Sequence, residues 1–401
     1  AEDGPEFCEE VLRETGLNIH VIDGGEEARL SAQGVLLGWP GSYGLVCDIG
    51  GSSMELAEIS DGEIGKRVTS QLGPLKLRDV PDGRDGRRAY INKVLDGLKD
   101  KMGDQQNRLF LVGGSWRAFA RIDMERRNYP LRVLHEYRMS TDSIRKTAAY
   151  IQAYEPEDLR QRCGISALRM SLLPMAAEVL VGIVDRFDPH DIAISSYGIR
   201  EGMLYEQMPD KLRNRDPLIE ACRFAESKDA RLPGFGKALN QFVLPLFPEA
   251  TPERKRLIKA ACLLHDVSWR AHPDYRAETC FDYATRANLG GLSHEERVYL
   301  GLALLHRYRN KREGTRFEEL FSLLNEDDLL SAEILGKAMR FGAMLWMKKD
   351  AETGQFDYDA VAATLKLTLP QSAASLFGEV AEARLKSLAA TMGAELTVIE
   401  S

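Results

Sequence analysis

Two acidic residues flank a glycine-rich turn in the segment VCDIGGSSMEL (46–56): Asp48 precedes the turn and Glu55 follows it. The turn itself consists of Gly50, Gly51, Ser52 and Ser53. A turn of this composition points several backbone N–H groups outward, and such an arrangement binds phosphate oxygens. The two carboxylates suit a Mg²⁺ ion, since Mg²⁺ in proteins is usually held by one or two carboxylates and by substrate phosphate. A glycine-rich hairpin beside a solvated acid has the same composition, so the segment alone leaves both interpretations open.

A second pair of acids, Glu26 and Glu27, lies in the segment DGGEEARL (23–30). A carboxylate could orient an attacking water molecule and accept its proton. Acids in the first turn of a helix are also favoured by the helix dipole, without any catalytic role. The residues alone do not decide between the two.

Two further places could bind an anion. A turn made of Gly113, Gly114 and Ser115 follows the apolar run 108–112 and opens a helix that contains Arg117, and helix N-termini bind anions. Arg200 lies at the start of IREGMLY (199–205). The alternatives are an ordinary strand-to-helix turn for the glycines and a surface position for the arginine.

The elements that must position these residues alternate between strands and helices up to about residue 205. Apolar and β-branched runs predict strands at 16–22, 44–49, 54–59, 63–69, 108–112 and 191–195. Asp61–Gly62 predicts a hairpin turn between two of them. Helical spacing of apolar residues predicts helices at 26–38, 172–187 and 198–208. Such alternation indicates an α/β layered architecture.

Helical periodicity dominates from about residue 209 to the end of the sequence, where we expect an all-α domain. One helix is well marked, because Thr251 is a suitable N-cap and Pro252 suits the first helical position. The dipeptide His265–Asp266 follows on the same helix. Its seven-residue spacing from Ile258 places His265 on the apolar stripe, which favours a buried structural histidine over a metal ligand.

Composition bounds the classes of function. The 401 residues carry a formal net charge of −8, which argues against a general nucleic-acid binder but permits a locally cationic cleft for a polyanion. No uninterrupted apolar run reaches the roughly 20 residues of a membrane helix, so we expect no membrane partner. The six cysteines are scattered without a CxxC pair, which is compatible with a reducing cytoplasm.

Several segments together resemble one known family. The segment DIGGSSMEL (48–56) is similar to the DIGGGSTEL pattern of the Ppx/GppA exopolyphosphatases, with Ser52 and Met54 as departures. DGGEEARL (23–30), LVGGSWRA (111–118) and IREGMLY (199–205) resemble further segments of the same family in the same order. The family belongs to the actin-like ATPase superfamily, so the resemblance implies actin-like (RNase H-like) α/β lobes followed by a helical HD-like domain.

The resemblance also implies roles for residues. It maps the catalytic glutamate onto Glu27, a phosphate contact onto Arg200 and the phosphate-binding turns onto 50–53 and 113–115, with Mg²⁺ near Asp48 and Glu55. The family begins with another strand–turn–strand that this sequence does not contain. We therefore expect residues 1–35 to be the remainder of an incomplete first lobe, 36–208 to be the second lobe and 209–401 to be the helical domain. A homodimer is also implied.

The expected activity is Mg²⁺-dependent hydrolysis of terminal phosphate from inorganic polyphosphate. The alternatives are hydrolysis of guanosine pentaphosphate (pppGpp), a non-catalytic polyphosphate-binding regulator, or a sugar or acetate kinase of the same superfamily. Within the helical part, a run of basic residues could guide a long polyanion, although such runs are usually solvated surfaces. This basic segment comprises His306, Arg307, Arg309, Lys311 and Arg312.

Overall fold

The computed structural model describes residues 3–103, 108–345 and 354–400. The chain divides into two compact units. The first, which we term the α/β unit, comprises Ala1–Leu37, Gly41–Arg127 and Arg138–Met208. The second, the helical unit, comprises Gly38–Pro40, Asn128–Tyr137 and Pro209–Ser401.

Helices make up most of the described residues. In the α/β unit they are α1 (Gly4–Thr15), α2 (Gly24–Gly38), α3 (Pro74–Arg78), α4 (Gly83–Met102), α5 (Gly114–Arg126), α6 (Thr141–Ala153), α7 (Pro156–Cys163), α8 (Ala167–Phe187) and α9 (Ile199–Gln207). In the helical unit they are α10 (Asp210–Arg213), α11 (Pro217–Asp229), α12 (Phe235–Val243), α13 (Pro252–Leu264), α14 (Arg276–Arg286), α15 (His294–His306), α16 (Glu318–Phe321), α17 (Glu326–Gly342), α18 (Gln371–Ala374) and α19 (Glu379–Met392).

The strands form one sheet in each unit. They are β1 (Gly44–Ile49), β2 (Met54–Ser60), β3 (Glu63–Ser70), β4 (Arg108–Val112), β5 (Arg138–Met139), β6 (Asp191–Ile194), β7 (Gln355–Asp359), β8 (Thr364–Leu369) and β9 (Glu395–Glu400). The sheet of the α/β unit has the order β3-β2-β1-β4-β6-β5. Strands β1, β2 and β3 are antiparallel, whereas β1, β4 and β6 run parallel to one another. The strands predicted from residue 44 onward are confirmed within two residues, and the layered α/β architecture with them.

Helix α8 is the central helix of the α/β unit. The side chain of Ser166 caps it by accepting a hydrogen bond from the Arg169 N–H, and its buried residues include Leu173, Ala176 and Leu180. Its length and mean hydropathy of 1.7 would allow it to cross a membrane, but 56% of that window is buried inside the protein. Burial of this kind is typical of a core helix, and the helix predicted over 172–187 is confirmed.

The strand predicted over 16–22 is wrong. These residues have no regular secondary structure, and the side chains of Leu17 and Val21 are exposed. A strand is stable only when a neighbouring strand satisfies its backbone groups, and no described strand pairs with this segment.

The helical unit contains a single large apolar core that α11 to α15, α17 and α19 share. The cap predicted for α13 is confirmed, since the Thr251 hydroxyl accepts from the Arg254 N–H and Pro252 is the first helical residue. The expectation of an all-α domain is wrong for its last part, where β7, β8 and β9 form a three-stranded sheet. The segment TLKLTL alternates apolar and polar residues, and this alternation buries Leu365, Leu367 and Leu369 on one face.

The last change of unit along the chain lies at 208/209, and the second unit also includes Gly38–Pro40 and Asn128–Tyr137, so the division into 1–35, 36–208 and 209–401 stays a prediction. The boundary expected between residues 35 and 36 falls inside helix α2 instead, and residues up to Leu37 belong to the same compact unit as 41–127. The reason is close packing of α2 in this unit. A Cβ on Gly34 would lie 2.8 Å from the Gly198 carbonyl carbon.

Candidate functional site

Three turns of the α/β unit lie at one edge of its sheet. They follow β1, β4 and β6, which are neighbouring parallel strands, and they contain Gly50–Ser53, Gly113–Gly114 and Gly198 respectively. Carboxyl ends of parallel strands meet at the same edge, where α/β proteins usually bind their ligands. The topology thus brings together three turns that the sequence separates by about 60 to 85 residues.

Asp48 and Glu55 are directly opposite each other in the antiparallel β1–β2 pair. Opposite residues of such a pair point to the same face of a sheet. Both are buried, at 7% and 1% exposure. The Ser31 hydroxyl donates a short hydrogen bond to Asp48, and the Thr69 hydroxyl donates to Glu55 at 2.9 Å. The second carboxylate oxygen of Glu55 is buried and accepts a hydrogen bond from no described residue.

The start of helix α2 separates the roles of Glu26 and Glu27. Asp23 caps the helix by accepting a hydrogen bond from the Glu26 N–H at 2.8 Å. Glu26 then forms a two-point ion pair with Arg29 at 2.8 and 2.5 Å. Glu27 pairs with no described cation and is half-buried, so its carboxylate is the one left for chemistry.

The three carboxylates of Glu27, Asp48 and Glu55 influence one another. Burial raises the pKa of Glu55 to about 7, and the nearby charges of Glu27 and Asp48 add to the rise. Burial followed by the charge of Asp48 raises the pKa of Glu27. Burial also raises the pKa of Asp48, opposed by its bond from Ser31 and by the charge of Arg117. Clusters of perturbed carboxylates are typical of functional sites.

The turn after β1 is only partly available to a ligand. The Gly50 N–H donates to the Ser53 carbonyl at 3.0 Å, which closes the turn. Gly50 was expected to contribute to phosphate binding, but its N–H is already used within the turn. The N–H groups of Gly51, Ser52 and Ser53 donate to no other described residue, and Gly51 and Ser52 are exposed, so these three remain the candidate donors of the turn.

The turn after β4 requires glycine. Gly113 has a φ of +113°, and a Cβ there would lie 2.8 Å from the Ile49 carbonyl oxygen and 3.0 Å from an Asp48 carboxylate oxygen. The missing side chain lets the start of helix α5 approach Asp48. Gly114 and Ser115 are the first residues of α5, as an anion site at a helix N-terminus requires. Trp116 is fully buried, so its bulk is no evidence against a nucleotide pocket.

Three arginines lie in the first turns of three helices: Arg117 in α5, Arg169 in α8 and Arg200 in α9. A Cβ on Gly114 would lie 2.6 Å from the Arg169 guanidinium carbon, so Arg169 reaches the start of α5. Burial, followed by the charges of Arg169 and Arg200, lowers the pKa of Arg117. A cation at a helix N-terminus is disfavoured by the helix dipole, by about 0.3–1 kcal/mol. A bound anion would offset this cost for all three arginines, so their convergence beside two glycine turns indicates an anion site.

Sequence reasoning missed Arg169, Ser31 and Thr69. A basic residue in the first turn of a helix is unusual, and Arg169 three residues after a serine N-cap could have been noticed for that reason. Ser31 and Thr69 carry no comparable signal, because their roles depend on carboxylates 17 and 14 residues away in sequence.

The residues present fit a magnesium ion. Asp48 and Glu55 offer two carboxylates on one face, and one Glu55 oxygen is buried with no described donor. No group of three or more His, Cys, Asp or Glu side chains that could hold a metal is found among the described residues. Two protein carboxylates are nevertheless enough for Mg²⁺, because substrate phosphates and water complete its shell.

The basic segment of the helical unit differs from the expected surface track. His306 is fully buried as the last residue of α15, so its inclusion in a track is wrong. Residues 309–312 lie beyond the helix, so Arg309 and Arg312 do not share a helical face with His306. Arg307 follows the helix, and burial lowers the pKa of its guanidinium. A role in guiding polyphosphate remains a prediction for Arg307, Arg309, Lys311 and Arg312.

The His265–Asp266 dipeptide is structural in character. His265 is buried, as predicted, and its Nδ1 lies 2.8 Å from the Cys262 carbonyl oxygen. Asp266 forms a two-point ion pair with Arg231, at 2.8 and 2.6 Å. Both carboxylate oxygens of Asp266 are therefore already engaged by a cation of the protein.

Comparison with known protein families shows which family the chain belongs to. The model of the Ppx/GppA phosphatase family matches residues 1–211. The chain belongs to the Ppx/GppA phosphatase family. The C-terminal exopolyphosphatase model matches residues 230–399, which lie in the helical unit. The resemblance seen in the sequence motifs is confirmed, and the chain has an α/β unit followed by a mainly helical unit.

Individual relatives are distant. Retrograde regulation protein 2 of Saccharomyces cerevisiae is 24% identical, over 77% of this chain and 57% of that protein. A guanosine-5'-triphosphate,3'-diphosphate pyrophosphatase of Vibrio parahaemolyticus is 23% identical, over 76% of this chain and 63% of that protein. The match thus spans less than two thirds of either relative. A crystal structure of an exopolyphosphatase from Cytophaga hutchinsonii is 21% identical, with a TM-score of 0.46, over 51% of this chain and 70% of that chain.

Proposed function

We propose that this Ppx/GppA chain is a phosphoanhydride hydrolase of the exopolyphosphatase type, which removes terminal phosphate from inorganic polyphosphate. The observation that carries the proposal is the convergence of Arg117, Arg169 and Arg200 beside three coupled carboxylates. Cations at that place suit a chain of phosphates, and carboxylates suit the activation of water. Phosphoryl transfer needs little more, because positioning and charge stabilisation supply most of its catalysis.

In this proposal Glu27 orients the attacking water and accepts its proton. A glutamate with a raised pKa is a stronger base than an ordinary one, which favours general-base catalysis near neutral pH. The N–H groups of Gly51 and Ser52 and the start of helix α5 hold oxygens of the transferring phosphoryl group. Asp48 and Glu55 would hold Mg²⁺, which when bound neutralises charge on that group.

Arg169 tests the proposal directly. Loss of a charged hydrogen bond costs about 1.5–3 kcal/mol, so Arg169→Gln should raise the KM for polyphosphate about tenfold or more. Arg145→Gln is the matched control, since Arg145 is an exposed arginine of the same unit that pairs with Asp185 at 2.6 Å. Equal KM values for the two variants would remove Arg169 from substrate binding.

The substrate is decided by measuring phosphate release from long-chain polyphosphate and from pppGpp, each supplied as the sole substrate. Release from long-chain polyphosphate at a kcat/KM above that for pppGpp supports an exopolyphosphatase. The reverse order would identify a pppGpp phosphohydrolase, the activity named for the Vibrio parahaemolyticus relative. Both outcomes support a phosphoanhydride hydrolase. If neither polyphosphate nor pppGpp releases phosphate, the proposal is contradicted.

A second candidate is a non-catalytic polyphosphate-binding regulator. The observation that favours it is the similarity to a protein named for retrograde regulation. This candidate predicts that polyphosphate binds, that Arg169→Gln weakens binding, and that no phosphate is released even with Mg²⁺ present.

We also propose a cytoplasmic location, which the cysteines support. All six are free thiols, and five of them are buried: Cys47, Cys163, Cys222, Cys262 and Cys280. Free thiols persist in reducing compartments.

A homodimer, which rests on the family resemblance, is likewise a proposal that light scattering can test.

A further inference from the structure

The helical unit has a cationic cavity that none of the roles described above uses. It measures about 560 Å³ and lies between the start of α11, α12 and α13. Five basic side chains line it against two acidic ones, in a chain whose net charge is −8. The basic residues are Arg215, Arg223, Lys255, Arg256 and Lys259.

The two acids are already neutralised by the arginines. Glu220 pairs with Arg215 at 3.1 Å and with Arg223 at 2.5 Å. Asp216 caps helix α11 through the Leu218 and Ile219 N–H groups and forms a short ion pair with Arg256. No negative charge of the cavity is left to balance another cation.

Two lysines of the cavity therefore lack a counter-charge. Lys255 and Lys259 are four residues apart on α13, which puts them on one face of the helix about 5–6 Å apart at Cβ. Neither ammonium group bonds to or pairs with any described residue. Like charges held this close repel each other, and a concave surface focuses their field, so the cavity attracts an anion with several charges.

The remaining lining fits such a ligand. Asn240 lines the cavity, and no described residue donates a hydrogen bond to its Oδ1. The side-chain amide of Asn240 carries N–H groups, which are the kind of donor that an anion in the cavity would accept from. Ile219, Leu244 and Pro252 supply an apolar part of the wall.

We infer that this cavity is a second binding site for an oligophosphate, separate from the candidate active site. Lysines bind phosphate as point charges and arginines as two-point donors, and the cavity contains both. The excess of cations in the cavity is independent of the proposed function, whereas the choice of an oligophosphate among polyanions rests on it. Inorganic polyphosphate and the phosphate arm of a nucleotide both present a short chain of linked phosphates, which is the group that the cavity would bind.

Protection of lysines from acetylation tests the site directly. The Glu27→Gln variant without Mg²⁺ keeps the probe, tripolyphosphate, intact. Acetylation rates of single lysines are read by peptide mass spectrometry. At ten times the dissociation constant only about one site in ten is free, so acetylation of Lys255 and Lys259 should slow about tenfold. Lys228 and Lys237, exposed lysines of the same unit outside the cavity, are internal controls.

Further arms identify the ligand and the residues. Equal protection by GTP supports recognition of the oligophosphate itself, whichever its source. Arg223→Gln should weaken protection, because it removes one cation of the cavity and leaves Arg215 alone to pair with Glu220, whereas Arg286→Gln, which breaks an exposed pair with Asp282 outside the cavity, should not. No protection by tripolyphosphate, the same slowing at Lys237, or equal protection by citrate would overturn the inference. Phosphate release is measured separately, so failure of this site and failure of the proposed activity are distinguishable.

Discussion

The carboxylates of Asp48 and Glu55 face the same side of the β1–β2 pair because the two residues are register partners. This relationship predicts a shared Mg²⁺ ion. Asp48→Asn and Glu55→Gln should each raise the Mg²⁺ concentration for half-maximal phosphate release by about tenfold or more, since even residues that only support a metal ligand contribute that much. Glu63→Gln, an exposed acid on β3, is the control. Unchanged Mg²⁺ dependence in both site variants would exclude a metal between them.

Glu27 is expected to be the catalytic base. Glu27→Gln keeps the shape of the side chain but removes its basicity, so phosphate release should fall about 10²-fold or more. Polyphosphate binding should persist. Glu26→Gln is the matched comparison, because Glu26 pairs with Arg29. A larger loss of turnover in the Glu26 variant than in the Glu27 variant would reverse the assignment.

Gly202 holds helix α9 against helix α2. A Cβ on Gly202 would lie 2.7 Å from the Leu30 carbonyl carbon, where only backbone could yield. Gly202→Ala should therefore lower the free energy of unfolding by about 1–3 kcal/mol, the usual cost of overpacking. Gly97→Ala in α4 meets no atom within 4 Å and should raise the free energy of unfolding, by about 0.5–1 kcal/mol. Urea unfolding curves that shift in the same direction for both variants would contradict this packing.

His265 makes the stability of the helical unit depend on pH. Burial, followed by the charge of Arg307, lowers the pKa of His265 from 6.5 to about 4. Between these values the unfolded chain binds a proton that the folded chain does not, so this contribution to stability is complete above pH 6.5 and is lost as the pH falls towards 4. In His265→Gln the free energy of unfolding should change less steeply with pH over that window. Parallel curves for the two proteins would show that His265 does not titrate in this way.

The same variant tests the structural role of the dipeptide. Because Arg231 engages both Asp266 oxygens, His265→Gln should leave the content of bound transition metal unchanged. Stoichiometric metal by elemental analysis, lost in the variant, would contradict the structural assignment.

Local signals were sufficient for the strands that carry the site. The buried run 44–49, the Asp61–Gly62 turn and the glycines at 113–114 each specify their own conformation, because φ preferences and hairpin turns act over a few residues. The same reasoning failed at 16–22 and 364–369. A strand exists only if another strand pairs with it, and short apolar segments do not encode whether that partner is present.

The sequence by itself determined the family, the α/β and helical parts and the residues of the turns, because these depend on motifs and on patterns a few residues long. Only the tertiary structure decided which side chains meet. Arg169 reaches the start of α5, more than 50 residues away in sequence, and Glu26 rather than Glu27 is taken by Arg29. In the tertiary structure His306 is also buried, whereas the sequence had predicted it to lie on a basic surface. The physical reason is that burial and proximity arise from packing between distant elements, which spacing along the chain does not specify.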